Sequence, residues 1–234
     1  MKKLFLTLTT LLVISSAFAQ KTKIVIETNY GKIVAVLYDN TPLHHDNMIK
    51  LANEHFFDSL LFHRVIPQFV IQGGDPQSKN AAPGTMLGNG EHGDRIPAEF
   101  NDSDFHKRGA LAMARDNNPQ KASSGCQFYI VTGKTLTDDD LNGIESRTGR
   151  KYTPAEREAY KTIGGTAFLD GGYTVFGEVI EGMDVVDKIS GVERDQNDRP
   201  KADVRMLSVR VMSEGKKGKA GKEKKKHKKF LGIF

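Results

Sequence analysis

The stretch that decides the fold is residues 62–75, which read FHRVIPQFVIQGGD. Its β-branched and aromatic residues predict an extended run over 60–72 that Pro67 breaks, because proline cannot donate to a strand ladder. Arg64 stands inside this apolar run, where a charge is costly unless it faces a partly open site or a partner. Two interpretations stay open from the residues alone: a cation at an open site, or an arginine in a salt bridge at the rim of a barrel.

Short strands and turns surround this stretch on both sides. Residues 24–38 predict a hairpin around an Asn-x-Gly turn. Thr41 and Pro42 predict the start of a helix, with Thr41 as its N-cap, and its predicted buried face consists of Met48, Leu51, Ala52 and His55. The other predicted elements are strands at 109–115, 127–132, 174–180 and 204–211, and a helix at 183–190. Many short strands with few helices indicate a mainly β barrel or sandwich.

Residues 133–167 follow a different, helical pattern. Thr137 and the three aspartates that follow it predict a helix start, and Gly149 predicts its end. A second helix is predicted from the capping box at 153–156, which also has proline at the first helical position, to Gly164. We therefore interpret 133–167 as a polar helical hairpin inserted in an otherwise β body.

The N-terminus has the pattern of a secretory signal peptide. Lys2 and Lys3 precede a short apolar run at 4–14, and small residues end it at Ala19. These are the parts of a secretory signal, and the run is shorter than the 18 or so apolar residues that span a bilayer. We predict that residues 1–19 are a bacterial signal peptide cleaved after Ala19, with an uncleaved anchor as the alternative. The mature protein is then expected in the periplasm or the medium.

Charge divides the chain into an acidic body and a basic tail. The formal net charge of the 234 residues is +5, and loss of Lys2 and Lys3 with the signal leaves +3. Residues 215–234 hold nine Lys and one Glu, which is +8, so residues 20–214 carry −5. A run of like charges repels itself and is typical of a disordered segment. The tail is expected either to bind a polyanion or an anionic surface, or to be a solvated appendage without a partner.

Several kinds of chemistry are excluded or disfavoured by the sequence. The single cysteine rules out an intrachain disulfide and a multi-cysteine zinc site. The chain has no G-x-S-x-G, no H-E-x-x-H and no phosphate-binding glycine loop that ends in Gly-Lys-Ser/Thr. His44-His45-Asp46 is a weak metal motif, because adjacent residues of a helix point in different directions. We expect neither a cofactor nor a metal.

Four segments together resemble the cyclophilins, the cyclosporin-binding family of peptidyl-prolyl cis-trans isomerases. They are FHRVIPQFVIQGGD at 62–75, GALAMAR at 109–115, GCQFYIVT at 125–132 and FLDGGYTVFGEVIEGMDVVDKI at 168–189. The resemblance runs from about Ile24 to Val211 except for the insertion, which is similar to those of some secreted bacterial members. It implies a closed, eight-stranded antiparallel barrel capped by two helices, within an isomerase domain that we place at 20–214.

The resemblance also implies the roles of individual residues. Arg64 would be the catalytic cation, and Gln72 would orient it and hydrogen-bond the peptide. The residues implied to line the proline pocket are Phe69, Val70, Tyr129 and Leu169. Ala114 and Arg115 match the strand that pairs with the substrate backbone, and Phe168 and Tyr173 match the rim of the pocket. For the apolar members of this set, ordinary barrel core is the alternative. His63 is expected to be a structural hydrogen-bonding residue.

Three functions follow for comparison. The first is isomerisation of X-Pro bonds in exported or folding proteins, by non-covalent stabilisation of the twisted imide. The second is a binding module that holds Pro-containing peptides as a chaperone, with turnover incidental. The third is a tether whose tail anchors the domain to an anionic surface. Intact Arg64 and Gln72 favour the first, and we expect the protein to act as a monomer.

Overall fold

The structure, a computed structural model, describes residues 21–212. One sheet of eight strands carries the fold, and four α-helices accompany it. The strands are β1 (Lys23–Thr28), β2 (Gly31–Leu37), β3 (Phe62–Ile66), β4 (Val70–Gly73), β5 (Ala110–Met113), β6 (Phe128–Val131), β7 (Val175–Glu181) and β8 (Met206–Val211). The helices are α1 (Pro42–Asn53), α2 (Asp138–Thr148), α3 (Pro154–Thr162) and α4 (Met183–Ser190). The predicted signal at 1–19 and the Lys-rich tail at 215–234 lie outside the described residues.

All pairings in the sheet are antiparallel, and the strand order is β3-β4-β6-β5-β7-β2-β1-β8. The edge strands β3 and β8 do not form a ladder. One isolated bridge, between Leu61 and Arg205, joins the segments beside them. Further along β3, the hydrogen-bond partner is the loop before β8 and not β8 itself: the Val65 N–H donates to the Asp198 carbonyl at 2.8 Å. The sheet is therefore open and curled, and the predicted full closure of the barrel is not confirmed.

The strands in the middle of the sheet bury both of their faces. On the inner face, Leu111, Met113, Phe128 and Ile130 join the main core. Alternate residues of the same strands form a second apolar cluster on the outer face, with Ala110, Ala112, Tyr129 and Val131 among its members. Such alternation is the consequence of the two-residue period of a strand. The outer cluster, which includes Val70 and has Leu169 packed against it, forms the apolar floor of the candidate site.

Two helices pack on the sheet, as predicted. Helix α1 lies against β8, and α4 lies against β2, β3 and β4. Both helices add their apolar faces to the main core, through Met48 and Leu51 of α1 and through Val186 and Ile189 of α4. Among residues 21–212 no helix has the length and apolar character needed to cross a membrane.

The start of α1 is held by a residue distant in sequence. Thr41 makes no side-chain capping bond; the Glu99 carboxylate instead accepts the N–H groups of Leu43 and His44 at 3.0 Å each. Thr41 is thus the N-cap residue, as predicted, with Pro42 at the start of the helix. Its side chain does not cap the helix, however, since Glu99 satisfies the orphan donors of the first turn. His55 is misassigned to the buried face, because it lies beyond the helix end with φ of 57° and is exposed.

The two adjacent histidines of α1 face different partners. His44 is buried, with Nδ1 2.6 Å from Glu99 Oε2 and Nε2 2.9 Å from Ser123 Oγ. The His45 ring bonds its neighbour Asp46. The two rings are thus committed to separate contacts, which is why the His-His-Asp motif does not act as a unit.

The helical hairpin predicted at 133–167 is confirmed. Capping boxes open both of its helices, at Thr137 and at Thr153. The hairpin has an apolar core of its own, consisting of Leu141, Ile144, Tyr152, Tyr160 and Ala167. Its two ends meet at the sheet, where the Gly165 N–H donates to the Lys134 carbonyl at 3.0 Å. We call residues 133–167 the insertion.

Candidate active site

A hollow of about 330 Å³ opens over the outer apolar cluster. Nine of the ten residues predicted for the site line it: Arg64, Phe69, Val70, Gln72, Ala114, Arg115, Tyr129, Leu169 and Tyr173. The tenth, Phe168, is exposed, and its ring stacks on the Phe69 ring with centroids 5.7 Å apart. The four segments that carry the resemblance therefore converge on one place, although Ala114 and Tyr173 lie 50 and 109 residues after Arg64 in the chain.

Arg64 presents a free cation to this hollow. It stands on β3 opposite Gln72 of β4, and its guanidinium lies 6.0 Å from the centre of the Phe69 ring. In the described part of the chain no carboxylate oxygen forms an ion pair with it. The alternative of an arginine in a salt bridge at a barrel rim is therefore wrong for this side chain.

A directional chain of amides stands behind Arg64. The Gln127 amide nitrogen donates to the carbonyls of Gly88 and Gly90 at 3.0 and 2.8 Å, which fixes its carbonyl oxygen toward Gln72. The Gln72 nitrogen donates to that oxygen at 3.1 Å. Gln72 must then turn its own oxygen to Arg64, whose Nη1 lies 3.4 Å away, a long bond by ordinary standards. Each amide in the chain thus sets the orientation of the next.

Gln127 is a functional residue that the sequence reasoning missed. It is buried, and it lies within the GCQFYIVT segment, so that segment held the only available signal. Its partners Gly88 and Gly90 come from the long loop after β4. That loop is held in place by Asp75, whose buried carboxylate accepts the N–H groups of Gln77 and Gly88 at 2.7 and 2.5 Å.

The far wall of the hollow is built from aromatic rings. Tyr129 is 4% exposed, and its hydroxyl lies 3.0 Å from His106 Nε2, which supplies the partner that a buried tyrosine needs. The Arg115 guanidinium lies 4.7 Å from the centre of the Tyr173 ring, and its Nε donates to the Gly172 carbonyl at 2.8 Å. The Arg115 side chain therefore anchors the rim, a contact that the sequence did not indicate.

Loop residues complete the hollow on the side of Arg64. They are Thr85, Met86, Leu87, Gly88, Asn89, Asp195, Asn197 and Arg199. No sequence pattern indicated them, because they belong to irregular segments whose approach to the hollow depends on the whole fold. One contact that brings the two loops together is the bond from Arg199 Nη1 to the Thr85 carbonyl.

His63 is buried beside Arg64 without a partner. Neither of its ring nitrogens has a hydrogen bond to any residue in 21–212, so the predicted role as a structural hydrogen-bonding residue is wrong. Burial, opposed by Asp75 and reinforced by Arg64 and Arg199, lowers the pKa of His63 to about 4. The imidazole is therefore neutral at physiological pH.

This burial predicts a loss of stability in mild acid. The folded-state pKa of His63 lies below the unfolded value of about 6.5. Between these two pKa values the unfolded chain therefore binds a proton that the native state does not bind. Stability should be unaffected by His63 above about pH 6.5 and should fall by about 3 kcal/mol as the pH drops toward 4. Urea unfolding between pH 7.5 and 4.5 measures this slope. In the His63→Gln variant, which cannot titrate, the slope should be visibly shallower; equal slopes would contradict the prediction.

Comparisons with known proteins agree on one family. The sequence model of the cyclophilin type peptidyl-prolyl cis-trans isomerase/CLD family matches residues 23–211. A Streptococcus pyogenes protein described as a bifunctional phosphatase/peptidyl-prolyl cis-trans isomerase is 37% identical over 192 residues, which is 81% of this chain and 38% of that protein. The chain thus spans about two fifths of that relative. A Staphylococcus aureus protein described as a peptidyl-prolyl cis-trans isomerase is 33% identical, over 81% of this chain and 91% of its own length.

A solved structure shows the same fold. The Cryptosporidium parvum cyclophilin type peptidyl-prolyl cis-trans isomerase superposes with a TM-score of 0.63 at 21% identity, covering 83% of this chain and 99% of that one. The family match extends over nearly all of the described residues, including every strand of the sheet. The chain therefore belongs to the cyclophilin-type peptidyl-prolyl cis-trans isomerases.

Proposed function

We propose that the protein isomerises X-Pro peptide bonds by stabilising the twisted imide with the Arg64 guanidinium. The observation that carries this proposal is the geometry of that cation. It stands at an open hollow without a carboxylate partner among residues 21–212, and it lies beside an apolar surface. No other arginine of the hollow combines these properties, since Arg115 and Arg199 are bonded to backbone carbonyls.

Rotation about an X-Pro peptide bond needs no bond to be broken, so a well-placed cation is enough to catalyse it. Rotation about a peptide bond breaks amide resonance at a cost of about 18–20 kcal/mol, and before proline it takes tens to hundreds of seconds. In the twisted state the imide nitrogen regains its lone pair, which it lacks in both planar states. A donor aimed at that nitrogen therefore favours the transition state over substrate and product alike.

An arginine suits this task because the residue type never loses its proton in proteins and its fork of donors is rigid. The amide chain from Gln127 through Gln72 restrains the fork from behind. Among residues 21–212 the Arg64 side chain makes a single hydrogen bond, from Nη1 to Gln72, so most of the five guanidinium donors remain available to a substrate. The Gln72 and Gln127 amides thus act as orienting groups.

The outer apolar cluster supplies the grip on the proline ring. Val70 and Tyr129 belong to it and line the hollow, and Phe69 and Leu169 pack against it. Burial of the proline ring there holds one side of the X-Pro peptide bond in place while the other side rotates about it. Proximity of the held ring to Arg64 then sets the orientation in which the twisted nitrogen meets its donor.

The direct test is the exchange rate between the cis and trans forms of a short Ala-Pro peptide. NMR exchange spectroscopy measures that rate without a coupled protease. A catalytic amount of the folded protein should accelerate exchange well beyond the spontaneous rate. Folded protein that leaves the rate unchanged would overturn the proposal.

The pH dependence of turnover is a further prediction. The mechanism uses no group that titrates near neutrality: an arginine side chain stays protonated in proteins, and burial lowers the pKa of the neighbouring His63 to about 4. Since the reaction transfers no proton, kcat/KM should be nearly constant between about pH 6 and pH 8. The same exchange assay over that range checks it, and a bell-shaped profile would point to an acid-base step that this mechanism lacks.

As substrates we propose Pro-containing segments of unfolded proteins that share the route of export. The support is the secretory pattern of residues 1–19. Fractionation of cells that produce the full chain tests the location, and retention in the cytoplasm would remove this part of the proposal.

For the tail at 215–234 we propose attraction to an anionic surface. The test is retention on anionic vesicles over a salt series, compared with the retention of a chain that ends at residue 214.

A further inference from the structure

A chain of four buried side chains runs from the insertion to the wall of the hollow. The Tyr160 hydroxyl, on α3, donates to Asp170 Oδ2 at 2.6 Å. Asp170 Oδ1 lies 2.7 Å from His106 Nδ1, and His106 Nε2 lies 3.0 Å from the Tyr129 hydroxyl. Exposure of the four residues is 0% for Tyr160 and His106, 4% for Tyr129 and 8% for Asp170. We call this chain the relay.

A neutral His106 with its proton on Nδ1 satisfies every member of the relay. Asp170 Oδ1 also accepts the backbone N–H of His106 at 2.8 Å, so the carboxylate faces donors on both oxygens. His106 Nδ1 then carries the proton, which leaves Nε2 as an acceptor for the Tyr129 hydroxyl. Burial, with Tyr173 and Asp170 nearby, raises the pKa of Tyr129 well above its usual value, so that hydroxyl remains a donor.

The insertion holds Asp170 from two directions. Besides Tyr160, it supplies Arg150, whose Nε lies 4.0 Å from Asp170 Oδ2. Arg150 is itself fixed by Glu156 Oε1 at 2.6 Å and by the Asp102 carbonyl at 2.9 Å. A buried carboxylate is stable only when it is paired and hydrogen-bonded. The insertion therefore contributes both a hydrogen-bond donor and a nearby positive charge to Asp170.

The other end of the relay bears on the substrate site. Tyr129 lines the hollow, and its ring stacks on the His106 ring with an angle of 17° and centroids 6.0 Å apart. Tyr173, on the rim, meets the Tyr129 ring edge-on at 6.0 Å. The position of the Tyr129 ring therefore fixes both the far wall and part of the rim. None of residues 133–167 lines the hollow itself.

We propose that the insertion positions the proline-binding wall, with Tyr160 acting through Asp170 and His106 on Tyr129. Tyr160 is thus a positioning residue for the isomerase site, and this inference rests on the proposed function. It assigns the insertion a task at the site, instead of leaving it as an appendage to the sheet. The competing explanation is that Tyr160 only packs the insertion, where its ring contacts Phe105 and Tyr152 edge-on.

A double-mutant cycle separates the two explanations. Tyr160→Phe keeps the ring and removes the hydroxyl, and we expect it to lower kcat/KM on an Ala-Pro peptide about five-fold, the size of one lost buried hydrogen bond. The loss should appear in KM with kcat nearly unchanged, because Arg64 is untouched. In a Tyr129→Phe background, the same Tyr160→Phe change should have almost no further effect. Independent, multiplicative losses would overturn the proposal.

Leu141→Ala is the control for simple destabilisation. Leu141 is fully buried in the insertion's own core and takes no part in the relay. At a temperature where all variants are folded, Leu141→Ala should lower the melting temperature and leave KM within two-fold of the wild-type value, about the resolution of such a comparison. A rise in KM equal to that of Tyr160→Phe would show that the insertion acts through stability alone.

A measurement without turnover keeps this inference separate from the proposed function. The ¹⁵N shifts of the His106 ring report which nitrogen carries the proton. Wild-type protein should show the Nδ1–H form, and Tyr160→Phe should shift the His106 resonances, while Leu141→Ala should not. If wild-type protein fails to isomerise the peptide but shows these shifts, the proposed function falls and the relay stands. If the His106 resonances do not respond to Tyr160→Phe, the relay falls.

Discussion

Replacing Arg64 with Ala should lower kcat/KM on a short Ala-Pro peptide by about 10²–10³, the loss that follows removal of one preorganised donor to a developing charge. The change removes the cation that the proposed mechanism places against the imide nitrogen in its twisted state. It leaves the apolar wall intact, since Arg64 is not a member of the outer cluster. The deficit should therefore appear in kcat, and the affinity for a Pro-containing peptide should change little.

Two companion variants sharpen this result. Arg64→Lys keeps the charge and loses the planar fork, so a deficit of about ten-fold or more is expected if the geometry of the donors matters. Arg210→Ala removes an arginine that is paired with Asp58 on another part of the sheet, and it should retain full turnover. Arg64→Ala protein that turns over the peptide at the wild-type rate would refute the mechanism. If such a variant lacked turnover but still rescued a cellular defect, the chaperone interpretation would be favoured.

Gly165→Ala should destabilise the protein by about 4 kcal/mol, the combined size of local backbone strain and overpacking. A methyl group at this position would stand 2.3 Å from the His106 carbonyl oxygen and 2.6 Å from Cε1 of Tyr160. Gly165 also has a φ of 154°, a conformation that favours glycine. In a chain of this size the melting temperature should drop by roughly 8–16 °C.

Gly149→Ala is the matched control, because Gly149 lies in the same insertion and has a φ of 76° with nothing within 4 Å of an added methyl group. It should cost only about 1–2 kcal/mol, the price of the left-handed conformation for a residue with a side chain. The difference between the two variants, measured by urea unfolding, isolates the contact with His106 and Tyr160. Equal losses would show that the close approach at Gly165 relaxes freely.

The site was predictable where it is local in sequence. Arg64, Phe69, Val70 and Gln72 fall within one hairpin, so the register of β3 and β4 brings them together without help from the rest of the chain. Gln127 was not predictable in the same way. Its role depends on the carbonyls of Gly88 and Gly90 in a loop 37 to 39 residues away, which no spacing rule indicates.

The errors have a shared physical cause. The local pattern placed the N-cap at Thr41 correctly, but the capping bonds come from Glu99, 55 residues or more from the N–H groups it binds. His55 was assigned to a helical face from its spacing, although α1 ends at Asn53. Closure of the sheet depends on how the loop before β8 approaches β3, and strand patterns carry no information about that approach. Local propensity yields to tertiary contacts in each case.

Neighbouring residues of the central strands have different roles, because one faces the main core and the next faces the hollow. Phe128 faces the interior and Tyr129 the hollow, and likewise Ile71 and Val70 point to opposite sides of β4. A combinatorial library confined to the outward positions would therefore sample new ligand selectivities while the main core, and its contribution to the free energy of unfolding, stays unchanged. Such a division makes the recognition surface evolvable, because drift in specificity does not have to be accompanied by repair of the scaffold.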